Sequence, residues 1–134
     1  AATTLSRAAD AWADRAGGTS GALWGVILNA IASHLGDAGR PDAVAVASGV
    51  ADGLQGVMTY GKAEVGDKTL VDALVPFSST LAAEVDGGSS FVDAWQTAAD
   101  AATRAAAATA ALLPRLATTY AQIFAHDEFL QKFD

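Results

Sequence analysis

The sequence predicts an all-α protein, an antiparallel helical bundle or barrel of about five to six helices. Three observations predict it. Apolar residues recur at helical spacing in one window after another. Strand-like alternation is nearly absent, and the one run that alternates, "VAVASGV", lies inside a longer helical stripe. The windows are separated by connections of mostly fewer than about ten residues, marked by Gly and Pro, which favours antiparallel neighbours.

The first helix is expected over residues 3–15, with Leu5, Ala8, Ala9 and Trp12 on one face. After "GGTSG", Leu23, Ile27, Ile31 and Leu35 follow at i, i+4, with Trp24 and Leu28 beside them. Gly36 and the stretch "GDAGRPD" end that helix. Pro41 suits the first turn of the next, where a missing N–H costs nothing. Ala47, Val50, Leu54, Val57 and Met58 form the third stripe, and "TYGKAEVGDK" then reads as a polar loop with Gly61 and Gly66. A fourth helix begins near Thr69 and carries Leu70, Leu74 and Leu81; Pro76 inside it predicts a kink or break. "VDGGSS" is a stop signal. Ser89 or Ser90 caps a long fifth helix through Val92, Trp95 and the Ala-rich stretch 105–111 to Leu112, and Pro114 bends or ends it. A final segment carries Tyr120, Ile123, Phe124, Phe129, Leu130 and Phe133, and is more aromatic than the rest.

Composition narrows the function classes. The chain has 134 residues, suited to one domain, and a net charge of −7. Such a field repels nucleic acid and anionic lipid, so neither is an expected partner. An anion would have to be held locally, by backbone N–H groups, a few cations or a metal ion. The chain has no Cys, which excludes disulfides and thiolate metal sites. No apolar run is long enough to span a bilayer and no signal peptide is evident, so a cytoplasmic location is the default expectation.

Two loops can carry chemistry. In "DRAGGTSGALWG", two glycines and two hydroxyls precede an apolar helical run. The backbone N–H groups of a helix start have no intrahelical partner and attract anions. Glycines let a phosphate approach, and Thr19 and Ser20 add hydroxyl donors. A Ser or Thr cap after a Gly turn explains the same residues. In "GKAEVGDKTLVDAL", Gly66 breaks the chain, Asp67 or Thr69 can cap the next helix, and Lys62 and Lys68 are cations beside glycines. Two solvated lysines explain that loop equally. Up-down alternation puts the loops after the first and third helices at the same end, where they can share one site.

At this point "GGTSGALWG" followed by "YGKAEVGDKTLVDALVPF" closely resembles the nucleotide-binding domain of dihydroxyacetone kinases, the DhaL or Dak2 type. The resemblance covers residues 1–116, and residues 117–134 form a divergent aromatic tail. It implies an antiparallel helical barrel that binds ATP or ADP at one end, with Mg2+ bridging phosphates to aspartates. By resemblance, Gly18, Thr19 and Ser20 meet the phosphates, Gly61 lines the pocket and Leu70 stands against the adenine. Lys68, Thr69 and Asp72 organise the loop. No catalytic residue is assigned: the family holds its hydroxyketone on a His of a partner domain, and neither His34 nor His126 is that residue.

Two departures shape the functional expectation. The family's Gly-Asp-x-Asp-x-Gly segment, whose aspartates hold the magnesium, precedes the point where this chain starts. Asp10 and Asp14 are outside that motif, so no metal ligand is assigned. After Leu116 the family's closing Asp-Pro-Gly-Ala turn is replaced by "ATTYAQIFAHDEFLQKFD". The barrel is therefore expected to be incomplete and the isolated chain inactive. Its expected partners are a dihydroxyacetone-binding kinase domain or subunit, and a second copy of itself. The expected reaction is phosphoryl transfer from ATP to dihydroxyacetone or a similar short hydroxyketone. The alternative is a truncated or diverged non-catalytic helical module for binding or oligomerisation. Related fatty-acid kinases use the same domain fold, but "GKAEVGDKT" fits the sugar-kinase branch better.

Overall fold

The computed structural model describes residues 1–113. Among them are five α-helices and no strand: α1 (Ala2–Arg15), α2 (Gly18–His34), α3 (Ala43–Gly61), α4 (Leu70–Asp86) and α5 (Phe91–Ala108). A short 3-10 turn, Thr109–Ala111, follows α5. Each helix packs on its neighbour in the chain.

The pairings are antiparallel, and residue contacts show it. Along α1 and α2, Gly21 meets Ala16, Gly25 meets Ala13, and Asn29 donates to Asp10. As one number rises the other falls. Along α2 and α3, Gly49 meets Ile31, Gly53 meets Ile27 and Gly56 meets Val26. Glycine permits this approach. A methyl group at Gly49 would lie 2.6 Å from Ile31 Cα, and one at Gly53 would lie 3.0 Å from Ile27 Cα. Ala and Gly thus replace bulky anchors at these seams, and dispersion contacts act backbone to backbone. At the far end, His34 Nε2 lies 2.6 Å from Asp52 Oδ2 and ties the last turn of α2 to α3.

Two apolar clusters fill the interior. One joins Val46, Ala47 and Val50 to Leu81, Ala94 and Ala98. The other joins Ile27 and Val57 to Ala63, Val71 and Leu74, and it lies behind the site described below. Phe77 touches both clusters and stacks edge-on with Trp95 at 4.9 Å between centroids. Among the described residues no helix is long and apolar enough to cross a membrane.

Several local expectations need revision. The second helix begins at Gly18, so "GTSG" is its first turn and not a preceding loop. Pro41 lies outside α3, because Asp42 is the cap and its carboxylate accepts from Val44 N at 3.4 Å. Pro76 does not break α4, which continues as one helix to Asp86. The packing of Leu74, Ser78 and Leu81 on both sides of it outweighs the lost hydrogen bond. Ser90 caps α5, accepting from Asp93 N, and α5 ends at Ala108, short of Leu112. Trp12, which shares a face of α1 with Leu5, Ala8 and Ala9, is 51% exposed; only Ala9 of that helix is buried. The aromatic tail 117–134 and the boundary at 116 lie outside the described residues.

Candidate functional site

Two helix starts face one cleft. At α2, Gly17 adopts φ 64°, ψ 164° and Gly18 adopts φ 63°. An L side chain would be strained at both positions. No side chain caps this helix, and its first turn closes with Gly21 N donating to Gly17 O at 3.4 Å. Thr19 and Ser20 are therefore first-turn residues and not caps. The N–H groups of Gly18, Thr19 and Ser20 precede the first intrahelical bond, and they sit at the positive end of the helix dipole.

The start of α4 is built differently. Thr69 is the cap, and its Oγ1 accepts from Val71 N at 3.2 Å. Asp72 completes a capping box: Oδ2 accepts from Thr69 N at 2.8 Å and Oδ1 from Gly66 N at 2.6 Å. Asp72 is 8% exposed. Burial pushes its carboxyl up, but the backbone N–H groups of Thr69, Gly66 and Lys68 outweigh that and hold it below the usual carboxylate range. Asp67 Oδ2 accepts from Glu64 N at 2.9 Å and folds the loop on itself. Lys68 Nζ donates to Leu112 O at 3.2 Å, pinning the loop to the residue that ends the 3-10 turn after α5. Gly66, Lys62 and Lys68 all have positive φ, at 97°, 49° and 60°.

Between these starts lies a cleft of about 480 Å³. Thr19, Ser20, Leu23 and Trp24 come from α2, and Val57 and Gly61 from α3. Ala63, Thr69, Leu70 and Val71 close it from the loop and α4. The volume is in the range of small-ligand pockets. Five of the residues singled out from sequence, Thr19, Ser20, Gly61, Thr69 and Leu70, thus line one space. Gly18 lies just before it, at the helix start. Lys68 and Asp72 do not line it; they hold the loop that does. The loops after α1 and α3 share this end of the bundle, as the up-down alternation implied.

Sequence reasoning missed Leu23, Trp24, Val57, Ala63 and Val71 as cleft walls. Their spacing reads equally well as core, and Val57, Ala63 and Val71 are indeed buried. Behind the cleft is an apolar cavity of about 340 Å³, between α2, α3, α4 and α5. Trp24 and Leu70 line both spaces and form their common wall.

The cleft offers an anion hydroxyls and backbone donors at one side and an apolar wall at the other. Among the described residues no carboxylate lines it. Asp72 commits both oxygens to backbone N–H groups, and Asp10 faces Asn29. Among the described residues no group of three or more His, Asp or Glu could hold a metal ion. The side chains present therefore fit a phosphate compound with an apolar portion, and they do not by themselves form a magnesium site.

The helical bundle thus sets an uncapped, glycine-opened helix start opposite a capped one across a single cleft. The sequence matches the DAK2 domain over residues 1–125. The chain belongs to that family. It is 59% identical over 116 residues to the L-erythrulose kinase of Pectobacterium atrosepticum, covering 87% of this chain and 20% of that protein. It is 47% identical over 114 residues to the D-erythrulose kinase of Mycolicibacterium smegmatis, covering 85% of this chain and 20% of that protein. It is 34% identical over 108 residues to the triokinase/FMN cyclase of Mus musculus, covering 81% of this chain and 18% of that protein. The chain spans about a fifth of the length of these relatives, two of them erythrulose kinases and the third a triokinase/FMN cyclase.

Proposed function

We propose that this chain is the nucleotide-binding part of a kinase that transfers the ATP γ-phosphoryl group to a short hydroxyketone such as dihydroxyacetone or erythrulose. One observation carries the reading: the bare N-terminus of α2 opens into a cleft of about 480 Å³ whose other walls are apolar except at Thr69. The phosphate chain takes the N–H groups of Gly18, Thr19 and Ser20 and the hydroxyls of Thr19 and Ser20. The base lies against Leu70, with Gly61 allowing close approach. Lys68, Thr69 and Asp72 act on the loop and not on the ligand. Phosphoryl transfer depends chiefly on positioning and charge neutralisation. This chain's residues supply the first at the nucleotide. Magnesium ligands and the hydroxyketone site come from outside the described residues, from a partner domain, subunit or second copy. A cytoplasmic setting accords with an ATP-dependent reaction.

Isothermal titration with ADP, with and without magnesium, tests this. Saturable binding is expected, lost in Ser20→Pro, which removes a first-turn donor. No binding at millimolar ADP would favour the second reading, a helical binding or oligomerising module without catalysis. The absence of a cleft carboxylate among the described residues is what keeps that second reading in contention.

A further inference from the structure

Two lysines of the loop Lys62–Lys68 hold backbone conformations that L side chains rarely adopt, Lys62 at φ 49° and Lys68 at φ 60°. The left-handed position after a helix is ordinarily glycine, because any Cβ is strained there. A strained non-glycine residue is a reason to ask what its side chain does. For Lys68 the answer is visible: Nζ holds Leu112 O at 3.2 Å. Lys62 caps the C-terminus of α3 in the left-handed region, is exposed, and makes no ion pair or hydrogen bond among the described residues. Its neighbours on both sides, Gly61 and Ala63, line the cleft. A cation on a long flexible stem is therefore anchored at the cleft's rim with no partner, in a chain of net charge −7.

We propose that Lys62 is the cation that meets the phosphate chain of the nucleotide, opposite the N–H groups of α2. The proposal rests on the nucleotide reading above and assigns it a positioning residue. An acidic protein repels a polyphosphate at long range, so a local cation at the rim matters more than in a neutral one. A lysine suits a phosphate chain whose exact register varies between di- and triphosphate, because it acts as a point charge and not a fixed fork. Its rival explanation is that Lys62 only offsets the dipole at the end of α3. That role would affect stability and leave phosphate binding alone.

The experiment compares the chain with Lys62→Gln, Lys62→Gly, Lys62→Arg and Arg15→Gln, titrated with ADP, adenosine and tripolyphosphate. Lys62→Gln keeps the backbone strain and removes the charge. Lys62→Gly removes both, so it should melt no lower than the parent. ADP affinity is expected to fall about tenfold in both and to be largely kept in Lys62→Arg. Adenosine affinity should not change. Equal ADP affinity in the parent and both uncharged variants overturns the proposal and leaves the nucleotide reading standing. A parallel loss for adenosine also overturns it, since the cleft itself would then be disturbed. A loss in Arg15→Gln alone would assign the cation to the end of α1. If the parent binds no ADP, the nucleotide reading fails; tripolyphosphate binding that depends on Lys62 would still sustain its role as a polyphosphate cation, and no binding would end both.

Discussion

The starts of α2 and α4 border the same cleft, and opposite means build them. At α4, Thr69 and Asp72 satisfy the first N–H groups from within the chain. At α2, two positive-φ glycines lead into the helix and no side chain caps it. The first is finished scaffold. The second leaves its first N–H groups without a side-chain acceptor among the described residues. The difference is one of completion: one terminus is left uncapped, and its neighbour is over-determined and holds the cleft wall in place.

Removing the Asp72 carboxylate should have the largest effect. Asp72→Ala breaks the capping box and leaves Gly66 N–H and Thr69 N–H without acceptors in a buried setting. We expect a loss of about 3 kcal/mol in urea unfolding followed by circular dichroism. A loss below about 1 kcal/mol would show that the loop holds itself. Gly17→Ala comes next. Its φ 64°, ψ 164° is open essentially only to glycine, and about 2 kcal/mol should be lost although no atom lies in the way of the methyl. An unchanged melting temperature would mean that the α2 start relaxes freely.

The paired hydroxyl deletions sharpen the contrast most directly. Thr69→Ala should cost about 1 kcal/mol because a cap is lost. Ser20→Ala should cost less than about 0.5 kcal/mol because no cap is lost, and should instead weaken ADP binding. Equal destabilisation by the two would erase the distinction between the helix starts. The smallest effect concerns pH. The Asp72 carboxyl lies below its ordinary value of 3.8 in the folded chain. Its contribution is therefore fully present above that value and is lost as pH falls through the lower folded one. The stability gap between the parent and Asp72→Asn should be constant at neutral pH and narrow below about pH 4. A gap that widens in acid would reverse the sign assigned to this group.

The bundle was legible in the sequence because helical periodicity is a local signal, and stops such as "VDGGSS" are equally local. The first-turn place expected for Pro41 and the break allowed at Pro76 failed for a different reason. Their effects depend on which neighbour takes the cap and on how firmly the flanking turns pack. Trp12 falls on the helical stripe yet stays exposed, since periodicity states which face is apolar and not what covers it. Half of the cleft was legible too: Thr19, Ser20, Gly61, Thr69 and Leu70 stood out through glycines, hydroxyls and a family resemblance. The apolar half, Leu23 to Val71, was not. A wall of a ligand cleft and a wall of a core share one spacing until tertiary packing separates them. The uncapped state of α2 was equally out of reach, because "GGTSG" spells a cap and an anion site alike.

The seams on either side of α2 limit its motion. Gly21 and Gly25 bring it onto α1, and Gly49, Gly53 and Gly56 bring α3 onto it, with backbone-to-backbone approach at Gly49 and Gly53. A helix seated between two such seams has little room to slide or tilt. The donors at its tip are therefore preorganised, fixed before any ligand arrives, so little ordering entropy opposes capture. A bulky residue at Gly49, several turns from the cleft, would lift the helix axis away from Ile31 and move the tip with it, making the seam a distant control on ligand capture.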